Sequence, residues 1–248
     1  MENVLYVLPF LGVAVGFIGG FFGIGGGIVV VPTLIALGYD TKTAVGVSIM
    51  QMLLGAIFGS AMNYRAGLLK LNEGVYLGIG GLIGASFSGL IVSLAPAIVL
   101  ECILLANFLF SIYKLYRAPQ NIAASKNNSK FLLVLLGAFV GAIATSIGIG
   151  GAAFIMPALV GFMGYEMKKA ISMGVFFVAF ASFSGFISLS LSGHVRYLEG
   201  ALIGVFALIG VYFGTKTTHK TEKAALKKWF LLLYVSMISL MIKKIFFE

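Results

Sequence analysis

Two stretches of the chain repeat each other. Phe17–Pro32 reads FIGGFFGIGGGIVVVP and Ala142–Pro157 reads AIATSIGIGGAAFIMP. Gly16, Gly23, Gly25, Gly26 and Pro32 recur 125 positions later at Gly141, Gly148, Gly150, Gly151 and Pro157. After one inserted residue the offset is 126, pairing Ala44 with Ala170, Gly67 with Gly193, Lys70 with Arg196, Glu73 with Glu199, Gly74 with Gly200 and Gly84 with Gly210. A register held this long, at half the 248-residue length, is the mark of an internal duplication. The last segment of each half aligns poorly, and no residue pairs are assigned there.

Each half carries five apolar segments. They are Val4–Phe22, Ile28–Leu37, Ala44–Tyr64, Val75–Ala95 and Ala97–Leu115, then Phe131–Ile147, Ala152–Met163, Ala170–Leu191, Leu198–Thr215 and Trp229–Ile242. With 60% hydrophobic and 10% charged residues, and a mean hydropathy of +1.08, the chain has more apolar surface than one core can hide, so the excess must face lipid. A spanning helix needs about 20 residues. The second segment of each half is too short, follows the glycine-rich break and contains a proline. Irregular backbone at membrane depth is tolerated only where protein or a polar cavity surrounds it. The expected fold is therefore all-α and polytopic. Each of its two repeats (residues 1–118 and 131–248) has a helix-break-half-helix hairpin plus three spanning helices. Residues 119–130, with the polar run NIAASKNNSK from Asn121 to Lys130, form the linker. The N-terminus reads as the start of the first helix, not as a signal peptide.

Charge sets the expected orientation. The net charge of +9 is held in short clusters between apolar runs, not on one basic face, so nucleic acid is not expected as a partner. The connection Ser93–Pro96 carries no charge, whereas its counterpart carries Lys216, Lys220, Lys223, Lys227 and Lys228. Equivalent loops then face opposite sides, and the two repeats have inverted topology. With the N-terminus outside, thirteen basic residues (the five just named plus Arg65, Lys70, Lys114, Arg117, Lys126, Lys130, Lys168 and Lys169) fall inside and four (Lys42, Arg196, Lys243, Lys244) outside. A parallel duplication of four plain spans is the competing topology; it would place both loops on one side. The single Cys102 excludes an internal disulfide.

Inverted repeats with a broken helix in each copy predict a site at the repeat interface near the midplane. Half-helices starting near Ile28 and Ala152 present backbone N–H groups at Gly25, Gly26 and Gly27 and at Gly150, Gly151 and Ala152. Each N-terminus carries roughly half a positive charge, so two aimed at one point suit an anion without any lysine. Polar side chains that could line the site are Ser48, Gln51, Thr145 and Ser146, with Ser172 in the counterpart segment. Any one hydroxyl can instead bond its own helix backbone, and Asn107 can tie helices together. Gly55, Gly59, Gly81 and Gly185 read as packing glycines. Glu101, inside an apolar segment, is the coupling candidate. Glu73 and Glu199, at loop-helix junctions, are explained by the helix dipole or by gate ion pairs. Gly148–Ala153 fits G-x-G-x-x-A, but the first copy breaks the pattern and the preceding segment is no short strand, so no dinucleotide or other cofactor is implied. His194 and His219 form no metal-ligand cluster.

The segment Gly16–Pro32, then Ala44–Ser48, then the second copy at Gly148–Pro157, resemble the sulfite exporter TauE/SafE family, also called the 4-toluene sulfonate uptake permeases. The likeness covers essentially the whole chain. The second copy departs where Ala152 replaces Gly27 and where Ser172–Gly174 replaces Gly46–Ser48. The resemblance implies a multi-pass plasma-membrane transporter for a small sulfur-containing anion such as sulfite or an organosulfonate. An anion channel and a membrane-embedded enzyme are the competing readings. An enzyme needs a catalytic constellation that the apolar segments do not contain. Direction, coupling ion and homo-oligomerisation stay open.

Overall fold

The computed structural model describes residues 2–23, 25–69, 71–117, 129–161, 163–221 and 223–247. These residues form eleven helices and no strand. Half one comprises α1 (Glu2–Phe22), α2 (Gly27–Ala36), α3 (Thr41–Arg65), α4 (Leu71–Ala85), α5 (Ser88–Leu94) and α6 (Ala97–Arg117). Half two comprises α7 (Lys130–Ser146), α8 (Ala152–Gly161), α9 (Met167–Leu191), α10 (Tyr197–Lys220) and α11 (Lys223–Phe247). The chain is thus an all-α polytopic membrane protein. Four stretches are long and apolar enough to cross a bilayer: Thr41–Arg65, Leu71–Leu94, Lys168–Leu191 and Tyr197–Thr218. Large apolar side chains such as Phe10, Phe131, Phe139 and Leu191 point outward, as a lipid-facing surface requires. Most of the expected linker lies outside the described residues. Its end, Ser129, caps α7 by accepting from the Leu132 N–H at 3.4 Å. Asp40 does the same for α3, accepting from Thr43 N at 3.1 Å.

The fourth segment of half one is one span, as expected, but its helix is interrupted. It breaks between α4 and α5, whereas α10 is continuous. Ser188 of α9 stitches the break: its hydroxyl donates to Ser86 O at 2.7 Å and accepts from Gly89 N at 2.9 Å. These are backbone groups that an unbroken helix would satisfy itself, and lipid supplies no water to replace the lost bonds.

The halves interlock. α1 packs along α10, and α7 packs along α4. α3 packs against α10, α9 against α4, and α3 against α9. The exchange holds at the level of atoms. A β-carbon added at Gly84 would collide with Ala138 O, and one at Gly210 would collide with the equivalent Val13 O. Gly12 faces Ile203 O as Gly137 faces Leu77 O, and Gly16 faces Ala207 O as Gly141 faces Gly81 O. Small residues let the backbones touch, which is what drives helix association where lipid removes the hydrophobic incentive. Phe108 and Tyr234, with ring centroids 5.9 Å apart, join α6 to α11.

Because backbone atoms cannot step aside, Gly16→Val and Gly84→Val are expected to cost at least about 3 kcal/mol, the upper end for overpacking. Size-exclusion monodispersity and thermal melts of the purified variants measure this. Gly55→Ala is the contrast: its β-carbon would meet nothing nearer than 3.4 Å, so it should fold normally.

Candidate functional site

α1 ends at Phe22 and α2 begins at Gly27. Between them Gly23, Gly25 and Gly26 have φ of 70°, 79° and 83°. The second break repeats this, with Gly148, Gly150 and Gly151 at φ 73°, 72° and 88°. Any other residue in this left-handed region costs about 1–3 kcal/mol, so the breaks are written into the glycines.

The two breaks meet in the centre of the protein. A β-carbon at Gly25 would lie 3.0 Å from Val178 Cγ1 and 3.2 Å from Met52 Sδ. One at Gly150 would lie 2.7 Å from the same sulfur and 3.1 Å from the same methyl. Gly27 abuts Gly148 O. Met52 and Val178 are fully buried and are equivalent under the 126-residue offset. The side chain of Met52 fills the junction between the breaks, and nothing in the sequence analysis singled it out. The duplication offset, applied to side chains around the breaks, would have found the pair.

The other sequence-derived candidates divide. Gly25, Gly27 and Gly150 meet at Met52; Gly26 faces Val15 and Gln51, Gly151 faces Phe177 and Val140, and Ala152 packs beside Gly174. The Ser48 hydroxyl donates to Gly148 O at 2.8 Å, tying α3 to the break of the other half. The reciprocal tie is missing because Gly174 stands at the equivalent position beside Gly23 O. Ser146 donates to Ala142 O of its own helix at 2.7 Å. Thr145 is buried with an unpartnered hydroxyl, its methyl against Gly185. Gln51 is fully buried, and neither amide atom has a hydrogen-bond partner in the protein. Glu101 is elsewhere. It accepts a hydrogen bond from Thr41 Oγ1 at the start of α3, about 10 Å of helix before Ser48. Gly81 packs on the Phe177 ring as a packing glycine should, but Gly55 and Gly59 line a cavity.

The ends of the bundle are tied by matching polar junctions. At one, Glu73 of α4 approaches Lys169 of α9 at 4.0 Å, and burial followed by the Glu73 charge pushes the Tyr165 phenol up to about 12. At the other, Glu199 pairs with Arg196 at 3.2 Å, and burial followed by Glu199 raises the equivalent Tyr39. Here Lys42 Nζ donates to Ser93 O at 3.1 Å, and Ser93 Oγ lies 3.1 Å from His194 Nε2. Lys70 lies outside the described residues. No group of three or more potential metal ligands occurs among the described residues.

A membrane-embedded bundle, interlocked across two related halves and broken twice at its centre, is the architecture of a transporter. The family model for "Sulfite exporter TauE/SafE" matches residues 8–241, and the chain belongs to this family of membrane transporters. Among its relatives is the probable membrane transporter protein YdhB of Bacillus subtilis (strain 168), 24% identical over 90% of this chain and 93% of the relative. A second B. subtilis relative, the probable membrane transporter protein YunE, is 25% identical over 87% and 89%. A probable membrane transporter protein of Haemophilus influenzae is 29% identical over 94% and 96%. No solved structure matches the chain.

The His194 junction has a definite pH sign. Burial first, then the Lys42 charge, lower the His194 pKa, with Asp40 opposing. Its folded pKa lies below the unfolded value of 6.5, so the folded protein binds fewer protons in that window. The stabilisation is complete above the unfolded pKa and is lost as pH falls through the folded one. Thermal melts from about pH 8 to about pH 5 should show a fall below 6.5 that His194→Gln reduces.

Proposed function

We propose that the chain is a secondary transporter that carries a small sulfur-containing anion, sulfite or an organosulfonate, across the plasma membrane. The anion is held at the midplane, where α2 and α8 begin. The N-terminus lies outside, the 119–130 linker inside, and residues 1–118 and 131–248 are repeats of opposite orientation.

The observation that carries this reading is the convergence of both breaks on Met52 and Val178. The N-termini of α2 and α8 then lie close together inside a low-dielectric interior, where their partial positive charges are screened least. The family description supplies the sulfur chemistry. The direction of the central contacts supports inverted repeats: α3 runs antiparallel to its counterpart α9, since Gly185 faces Ile49 whereas Gly59 faces Val175. Met52 fills the space between the breaks, which favours a carrier that must rearrange over a standing pore. Enzymatic chemistry is not part of the proposal.

The test is uptake into liposomes containing the purified protein, with labelled sulfite, taurine and methanesulfonate. Saturable flux accelerated by the same anion on the opposite side is expected of a carrier. Linear flux without counterflow would assign a channel, and no flux of any sulfur anion would remove the substrate assignment. Tags at Ser93–Pro96 and in the Lys216–Lys228 loop should report opposite faces; the same face for both would overturn the inverted arrangement.

If backbone dipoles bind the anion, Lys42→Gln should change anion affinity less than about two-fold, since its amine is spent on Ser93 O. Titration of the purified variant checks this, and a loss beyond about ten-fold (~1.4 kcal/mol) would make that amine a ligand.

A further inference from the structure

Gln51 presents an unusual problem. A buried carboxamide without partners is costly, more so where water cannot reach it. Its Nε2 lies 3.4 Å from where a β-carbon of Gly26 would stand, and the same distance from that of Gly55. Gly26 is the N-cap of α2 and supplies no side chain to bond the first turn. The amide N–H₂ group and the N-terminus of α2 therefore sit together, both positive in character.

Beside them is a cavity of about 10 Å³, lined by Gly19, Gly20, Gly25, Gly55, Gly59 and Thr215 among others. A second cavity of about 10 Å³ shares Gly20 and Thr215 with it and continues to Asn63, Lys168, Ser172 and Thr218. The Ser172 hydroxyl is buried and unpartnered. The two cavities mark a seam from a polar mouth at the Lys168 end to Gly25 and Gly55, and Gly55 neighbours the Gln51 amide. Each has room for roughly one water, so the seam must widen before an anion passes. Gly55 and Gly59 leave no side chain in the way.

The same route in half two is filled. Gly20 corresponds to Thr145, whose methyl lies against Gly185, the counterpart of Gly59. Gln51 corresponds to Phe177, whose ring lies 2.6 Å from the β-carbon position of Gly151. Asn63 corresponds to Leu189, which is fully buried. Ser172 corresponds to Gly46, and the His194 carbonyl is pressed onto it.

We infer that the anion site is one-sided: Gln51 Nε2 and the N-terminus of α2 hold the anion, which reaches them from the Lys168 end along the seam past Gly59 and Gly55, while the break of half two buttresses the site. The sulfite or sulfonate oxygens accept from the Gln51 amide and from α2 backbone N–H groups. This rests on the transport reading and narrows its site from two helix N-termini to the one at α2.

Two measurements on the full-length protein test the inference. In the first, sulfite, taurine and methanesulfonate are titrated against purified parent, Gln51→Leu and Phe177→Leu by thermal shift. Gln51→Leu should lose at least about ten-fold in affinity, the scale of one hydrogen bond to a charged partner. Its unliganded Tm should stay level or rise, because an unpartnered amide has been removed. Phe177→Leu should change affinity less than about two-fold. Parent-like binding by Gln51→Leu overturns the inference alone, as does a fall in its unliganded Tm, which would make Gln51 structural. A parent that binds none of the three anions overturns the function proposal and the ligand assignment with it. The second measurement needs no substrate. In a Cys102→Ser background, Ser172→Cys and Thr215→Cys should react with a water-soluble maleimide, and Thr145→Cys should not. Equal labelling of Thr145→Cys and Ser172→Cys, or labelling of none, overturns the one-sided seam.

Discussion

The structure depends on backbone touching backbone. Where α1 meets α10 and α4 meets α7, glycine leaves no β-carbon and the facing carbonyl occupies the space. In lipid, apolar side chains gain nothing from leaving solvent, so close contact and dispersion must hold helices together. Because each contact joins the first segment of one half to the fourth of the other, the main packing partner of α1 and of α7 comes from the opposite half. That crossing places α3 and α9 side by side at the centre, and the breaks that follow α1 and α7 are carried there with them.

At the centre the two halves stop being equivalent. Ser48 bonds the opposite break, but Gly174 cannot. Gln51 offers an amide where Phe177 offers a ring, and Gly20 leaves space that Thr145 fills. Two related halves surround one centre, and the volumes of their equivalent side chains differ there. A duplicated backbone with diverged side chains can keep the packing of both halves while assigning binding chemistry to one. At the ends, Glu73 reaches from α4 to Lys169 of α9, whereas Glu199 pairs with Arg196 at the start of its own helix.

Much of this was legible beforehand, for definite reasons. Apolar segment length and the glycine breaks follow local rules, since a bilayer fixes how long a span must be and positive φ fixes where glycine must stand. The 125- and 126-residue offsets identified equivalent residues before any coordinates. Two details were not legible there. The Val75–Ala95 segment is broken into α4 and α5, a break that Ser188, far away in sequence, makes affordable. Gly55 and Gly59 line a cavity, although nothing in their local sequence distinguishes them from Gly81, which packs on a ring.

By itself the sequence determined that the chain crosses a membrane, that it is built from two copies of one pattern, and that each copy carries a glycine break followed by a half-helix. Local composition and periodicity are enough for that, because solvent and dihedral preference act on each segment separately. Only the tertiary structure decided that Met52 and Val178 meet both breaks, that Ser48 is spent on a carbonyl of the other half, that Glu101 sits on Thr41, and that the Gln51 amide is buried without a partner next to the cavity-lining Gly55. Those facts depend on which helices cross and how closely, and the crossings are set by contacts between residues far apart in the sequence, such as Gly16 with Ala207 and Gly84 with Ala138.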